Sequence, residues 1–192
     1  MDKRWELKQP ISLEFKRQFP EIPGLILQLL YNRGLKTQKQ IDHFLYPEYG
    51  QDLLDPFLFP DMEKAVSRIY QAIDRKEKIT IHGDYDADGV TSSALLADIL
   101  QKLGANFDVY IPHREKEGYG LNKKTIKHLA NQKTNLIITV DCAISNLQEV
   151  KLAQKKGIDI ILTDHHSEPL ELPEAYAIIN PKVKNAIILF MI

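Results

Sequence analysis

Cysteine is nearly absent: Cys142 is the only one in 192 residues. No internal disulfide framework can form, and the chain reads as a protein of a reducing compartment. Charge of one sign is missing as well. With a formal net charge of −1, no global basic field announces a polyanion, so any such partner must be held by a local patch or a metal. No apolar run approaches the roughly 18 residues of a membrane-spanning helix, and Met1 to Glu6 contain no apolar signal-peptide core. A soluble, cytoplasmic protein without a membrane partner is the expectation; the oligomeric state is not legible. What is present, 44% apolar and 27% charged residues, is ordinary for one globular domain with a small appendage.

Residues 1–60 are punctuated by Pro10, Pro20, Pro23, Pro47, Pro56 and Pro60, which leave room only for short helices. One is predicted over residues 25–31, stopped by Gly34. Thr37 and Gln40 have the spacing of a capping box opening a second, with Ile41, Phe44 and Leu45 on one face. A helical N-terminal segment is expected. From Asp61, a plausible N-cap, the pattern becomes regular: Ala65, Val66, Ile69, Tyr70 and Ile73 recur at helical spacing. Apolar strands over residues 79–81, 107–111, 136–140 and 158–162 then alternate with helices over 91–103, 122–130 and 147–156. That alternation predicts an α/β domain over residues 61–185, a parallel sheet with helices on both faces and right-handed crossovers.

The ends of the strands carry the chemistry. The first runs into His82, Asp84, Asp86 and Asp88, the third into Asp141, and the fourth, after Thr163, into Asp164, His165 and His166. In a parallel sheet these C-terminal ends share one edge, where open α/β proteins hold ligands. Crowded carboxylates repel one another and resist desolvation unless a cation or substrate offsets the cost. An EF-hand is excluded, because the position of its closing bidentate Glu holds Leu95. A lone Asp after a strand is usually a helix cap and a lone His a satisfied structural residue; three strands ending this way point instead to a metal centre.

Carboxylates outnumber imidazoles and thiolates are lacking, Cys142 being expected to point away from Asp141 if the strand continues. Such a set suits Mn²⁺ or Mg²⁺ better than structural zinc. Five or more ligands exceed one tetrahedral ion. Two cations ~3.5–4 Å apart would clamp a phosphate and acidify a shared water, which is metal-assisted phosphoester hydrolysis. The polar loop over residues 113–120 opens on the same edge; its Arg114 has the chemistry to bind a phosphate and its Tyr119 to stack on a base.

Asp164-His165-His166, with the stretch from His82 to Gly89 and Val140-Asp141-Cys142, resembles the DHH phosphoesterase superfamily. Within it, the runs 29–34, 83–92, 117–122, 163–166 and 180–182 resemble the RecJ-type single-stranded-DNA exonucleases. The resemblance implies that His82, Asp86 and Asp88 are metal ligands, that Asp141 bridges two ions, and that His165 is a further ligand. It implies that His166 faces the scissile phosphate, that Asp164 orients its neighbours, and that Asp84 supports the site. The substrate would be single-stranded DNA, cut from a 5′ end into 5′-mononucleotides. Oligoribonucleotides or cyclic dinucleotides are the alternative substrates within the superfamily, and a catalytically defective metal-binding remnant is the alternative outside catalysis.

The sequence departs from the family pattern in two places. Ala143 stands where the second motif usually has glycine, placing a methyl group where the backbone is expected either to approach closely or to take positive φ. After Lys182 the sequence no longer follows the family, and its fourth acidic motif and C-terminal nucleic-acid-binding domain are missing. The expectation is a truncated or frame-shifted product with an apolar, aggregation-prone tail over residues 186–192.

Overall fold

Alternating apolar strands and amphipathic helices build the sheet expected of them. The structure, a computed structural model, describes Arg4 and residues 6–184; the apolar tail 186–192 lies outside the described residues. Among the described residues no helix is long and apolar enough to cross a membrane. The chain divides into two compact units between Leu53 and Leu54, ahead of the change in sequence pattern at residues 60 and 61.

The first unit contains α1 (Leu13–Gln18), α2 (Gly24–Asn32), α3 (Gln38–Leu45) and the single turn α4 (Tyr49–Asp52). Its buried centre is Ile11, Phe19, Leu27, Leu30 and Ile41, with Phe15 and Tyr31 edge-on at 4.9 Å. The capping box of α3 is formed: Thr37 Oγ1 accepts from the Gln40 amide at 3.3 Å and Gln40 Oε1 accepts from the Thr37 amide at 3.1 Å. Helix α1 was not legible, although Ser12 caps it by accepting from the Phe15 amide. Six residues are too few to display a helical period.

The second unit begins with a 3₁₀ turn (Pro56–Leu58) and continues α5 (Met62–Asp74), β1 (Lys78–Gly83), α6 (Ala87–Lys102), β2 (Phe107–Tyr110), α7 (Lys123–Asn131), β3 (Thr134–Val140), α8 (Leu147–Lys155), β4 (Asp159–Thr163) and β5 (Ala177–Ile179). All strands are parallel, in the order β2-β1-β3-β4-β5. The period of two sorts side chains between faces. Ile79, Ile81, Leu136, Ile138 and Ile161 pack with Ala65, Ala72 and Leu100 on one face. Ile137, Ile160 and Leu162 pack with Ile126, Leu129, Val150 and Ala153 on the other. Each large aliphatic side chain so buried contributes about 1.5–3 kcal/mol.

Two local expectations are corrected. Asp61 sits at the N-cap position of α5, but its carboxylate makes no cap bond there; its Oδ2 accepts from the Ile178 amide at 2.9 Å and so anchors β5. Helix α6 begins at Ala87, not residue 91, because Asp86 caps it by accepting from the Gly89 amide at 3.0 Å.

Candidate metal centre

Strand register assembles the centre. Gly83 pairs with Val140, Val140 with Thr163, and Thr163 with Ile179, so these four residues form one row across the sheet. The residue following each is Asp84, Asp141, Asp164 and Asn180. Four polar side chains therefore leave four strands at one level. The chain leaves β1 for β2 on one side and later returns to β3 on the other, making the crevice between β1 and β3 the topological switch point. Two glycines let the acidic turn pack there. A Cβ on Gly89 would stand 2.5 Å from the Asp84 carbonyl oxygen, and one on Gly83 would stand 2.2 Å from Ser93 Oγ.

Asp141 lies at the centre. Its ligating atoms fall within 4.8 Å of those of Asp84 and Asp86 in one group, and within 4.8 Å of those of His165 and His166 in another. Asp88, Ser92, Asp141, Asp164 and His165 line a cavity of about 300 Å³. Burial, then the neighbouring Asp86 and Asp88, push the Asp141 carboxyl above its ordinary range, against the opposing pull of His165 and His166. Asp141 Oδ1 is buried without a hydrogen-bond donor; His165 Nε2 is 3.0 Å away, but not in hydrogen-bonding direction. An orphaned carboxylate oxygen facing an imidazole nitrogen, among other carboxylates, is a donor set that fits Mn²⁺ or Mg²⁺.

The turn after β3 is strained. Asp141 and Ala143 have φ of 63° and 87°, left-handed values that cost a non-glycine residue about 1–2 kcal/mol each. The methyl of Ala143 is thus held where glycine would be unstrained. Surrounding bonds over-determine the turn: Thr139 Oγ1 donates to Cys142 O at 3.1 Å, Thr163 Oγ1 donates to Thr139 O at 2.6 Å, and the Asn146 amide donates to Ala143 O at 3.0 Å. The strand ends at Val140, so the alternation that would turn Cys142 to the face opposite Asp141 does not extend to it. Its Sγ is buried 3.7 Å from His82 Nδ1, and burial pushes the thiol pKa up.

The structure places His82 differently from the carboxylates. Its ring is wholly buried, stacks on Tyr110 at 5.6 Å, and belongs to neither ligand group. Nε2 is buried without a hydrogen-bond partner, and burial lowers the pKa to about 4. A base with a depressed folded pKa takes up its proton in the unfolded chain first. Stability is therefore full above about pH 6.5 and falls as pH drops toward 4, by about 3 kcal/mol at 1.36 kcal/mol per unit. Urea midpoints across this range, in EDTA, are expected to decline in the parent and less in His82→Gln; parallel declines would refute the assignment.

Asp164 is the anchor of the histidine pair. Its Oδ1 accepts from the His165 amide (2.7 Å), the His166 amide (3.0 Å) and His166 Nδ1 (2.7 Å), and its Oδ2 from the Ile144 amide (2.9 Å). Tyr119 Oη donates to Asp141 O at 3.1 Å and lies 3.1 Å from His166 Nδ1, its ring edge-on to that histidine. Arg114 lies over the Tyr85 ring, 5.2 Å from its centroid. The loop bearing both is pinned by Glu117, which accepts from Tyr110 Oη, the His113 amide and Thr125 Oγ1.

Asn180 was missed as a site residue because β5 has only three residues and shows no period. Fully buried, it donates to His166 O at 3.0 Å and accepts from the Lys182 amide at 2.8 Å. Asn180→Asp keeps the acceptor but sets an oxygen against the His166 carbonyl. About tenfold weaker Mn²⁺ binding, the lower end of what outer hydrogen-bond partners contribute, is expected by calorimetry; parental affinity would show that this bond does not position the pair.

Fold and site together define an open α/β protein with a carboxylate–imidazole metal centre at its switch point. The chain belongs to the DHH family, whose N-terminal domain matches residues 78–187. It is 44% identical over 181 residues to the single-stranded-DNA-specific exonuclease RecJ of Bacillus subtilis, covering 93% of this chain and 23% of that one. The Escherichia coli RecJ is 35% identical, with coverages of 86% and 28%. A crystal structure of exonuclease RecJ bound to manganese matches at 32% identity and a TM-score of 0.62, over 72% of this chain and 38% of that one. That of RecJ in complex with Mn²⁺ from Thermus thermophilus matches at 25% and 0.61, covering 98% and 28%. The chain thus spans about a quarter of the length of the curated relatives it matches.

Proposed function

We propose that the chain supplies metal-binding residues of a RecJ-type exonuclease that hydrolyses single-stranded DNA from its 5′ end, in the cytoplasm, for DNA repair and recombination. The observation that carries this is the position of Asp141, common to both groups of ligating atoms. Asp84, Asp86, Asp88, Asp141 and His165 would hold the cations, Asp141 being common to both groups, and His82 would join them through its orphaned Nε2. Divalent cations bound there supply Lewis acidity and a more acidic water.

The residues do the remaining work. Asp164 takes the His166 Nδ1 proton in a hydrogen bond and so leaves Nε2 as the atom that faces substrate. At Nε2 the ring accepts a proton or, once charged, donates to a phosphoryl oxygen. Tyr119 ties the loop to both Asp141 and His166, and its half-exposed ring face is available to a base, while Arg114 is available to a phosphate.

The test is a chimera in which this sequence replaces its counterpart in the Bacillus subtilis relative. Mn²⁺-dependent release of 5′-mononucleotides from single-stranded DNA, lost on Asp141→Asn, is expected. An inactive chimera, or one preferring cyclic dinucleotides or short RNA, would defeat this reading.

A further inference from the structure

In a chain of net charge −1, the two helices on one face of the sheet depart from that balance. Helices α7 and α8 carry Lys123, Lys124, Lys127, Lys151 and Lys155, all exposed, against Glu149 alone. On the opposite face, α5 and α6 have acidic and basic residues in near-equal number. None of the five lysines forms an ion pair among the described residues, whereas Lys78, Lys102 and Arg75 are each beside a carboxylate. Lone lysines are usually just solvated, so position decides the matter.

The lysines of α7 start at the rim of the metal centre. Tyr119 touches Asp141 and His166; three residues later Asn122 caps α7 by accepting from the Lys124 and Thr125 amides, at 3.0 and 2.9 Å. Glu117 binds the intervening loop to Thr125. The first turn of α7 is therefore joined to the site by a hydrogen-bonded segment, and the helix runs back from the strands' C-terminal edge for ~13 Å. An unpaired cationic row leading away from a phosphoester site has the chemistry of a phosphate-backbone track.

We infer that Lys123, Lys124 and Lys127 hold the phosphates of a single-stranded nucleic acid whose end occupies the metal centre. The inference rests on the hydrolytic reading above, and its test is separable from that reading. Fluorescence anisotropy with labelled oligothymidylate in EDTA, over a range of salt, compares the parent chain with Lys123→Glu/Lys124→Glu and with Lys155→Glu/Lys156→Glu. The two double variants alter net charge equally, but Lys155 and Lys156 lie at the far end of α8, at the opposite edge of the sheet from the site. The α7 pair is expected to weaken binding about tenfold and to reduce the slope of log K against log salt by about 1.4, at about 0.7 per phosphate contact. The α8 pair should leave the slope unchanged. Equal losses in both variants, or none in either, would overturn the track while leaving the metal centre intact. No binding by the parent would overturn the track, while the chimera's activity reports independently on the hydrolytic reading.

Discussion

Asp141→Asn is expected to reduce Mn²⁺ affinity at least ~100-fold, about 2.7 kcal/mol, while leaving the metal-free protein as stable as the parent or more so. The two effects have opposite signs for one reason. In the absence of cation the Asp141 carboxylate is buried beside Asp86 and Asp88, which raise its pKa after burial itself does; neutralising it relieves that repulsion. With cation bound, the same charge is common to both ligand groups, so its loss weakens both. Asparagine is the informative substitution because φ of 63° is tolerated by Asn and strained for Ala. Thermal unfolding with and without Mn²⁺ separates the terms: the metal-induced rise in melting temperature should vanish. A parental rise in the variant would remove Asp141 from the centre.

The second large effect is on folding. Asp164→Ala is expected to cost roughly 2–4 kcal/mol, since it strands the buried amide of Ile144 and the part-buried amides of His165 and His166 together with His166 Nδ1. Burial raises the Asp164 pKa, but the bonds from His166, Ile144 and His165 outweigh it and the net shift is downward. A carboxyl with a depressed folded pKa stabilises the protein above its unfolded value, about 3.9, and that contribution is lost as pH falls through the folded value. Acid sensitivity below pH 4 should therefore be smaller in Asp164→Asn than in the parent, the reverse of its lower stability at neutral pH. Urea denaturation at pH 7 and pH 3 measures both. An Asp164→Ala protein with the parental midpoint at pH 7 would show that water satisfies those amides and that the anchor is dispensable.

The layout of this domain was readable because its physics is periodic. Strands with consecutive apolar residues, such as Leu136 to Ile138, mark a sheet buried on both faces, and the intervening helical spacing requires parallel crossovers. The residues after those strands then had to meet at one edge, so Asp84, Asp141, Asp164 and the histidines were identifiable as neighbours without coordinates. What lay beyond reach depends on register, backbone hand and burial. Only the pairing of Gly83, Val140, Thr163 and Ile179 sets Asn180 level with Asp164, because a three-residue edge strand has no pattern of its own. The left-handed turn at Asp141 is held by Thr139 of the same strand and by Thr163 and Asp164 from the end of β4, and Cys142 Sγ comes to 3.7 Å from His82 Nδ1. His82, one residue before the end of β1, faces the layer of α7 and stacks on Tyr110, separate from the carboxylates that follow it in sequence. Local sequence determined which groups gather, since strand ends share an edge; tertiary packing alone decided how each is aimed, since a side chain's direction follows from bonds made by residues far away in the chain.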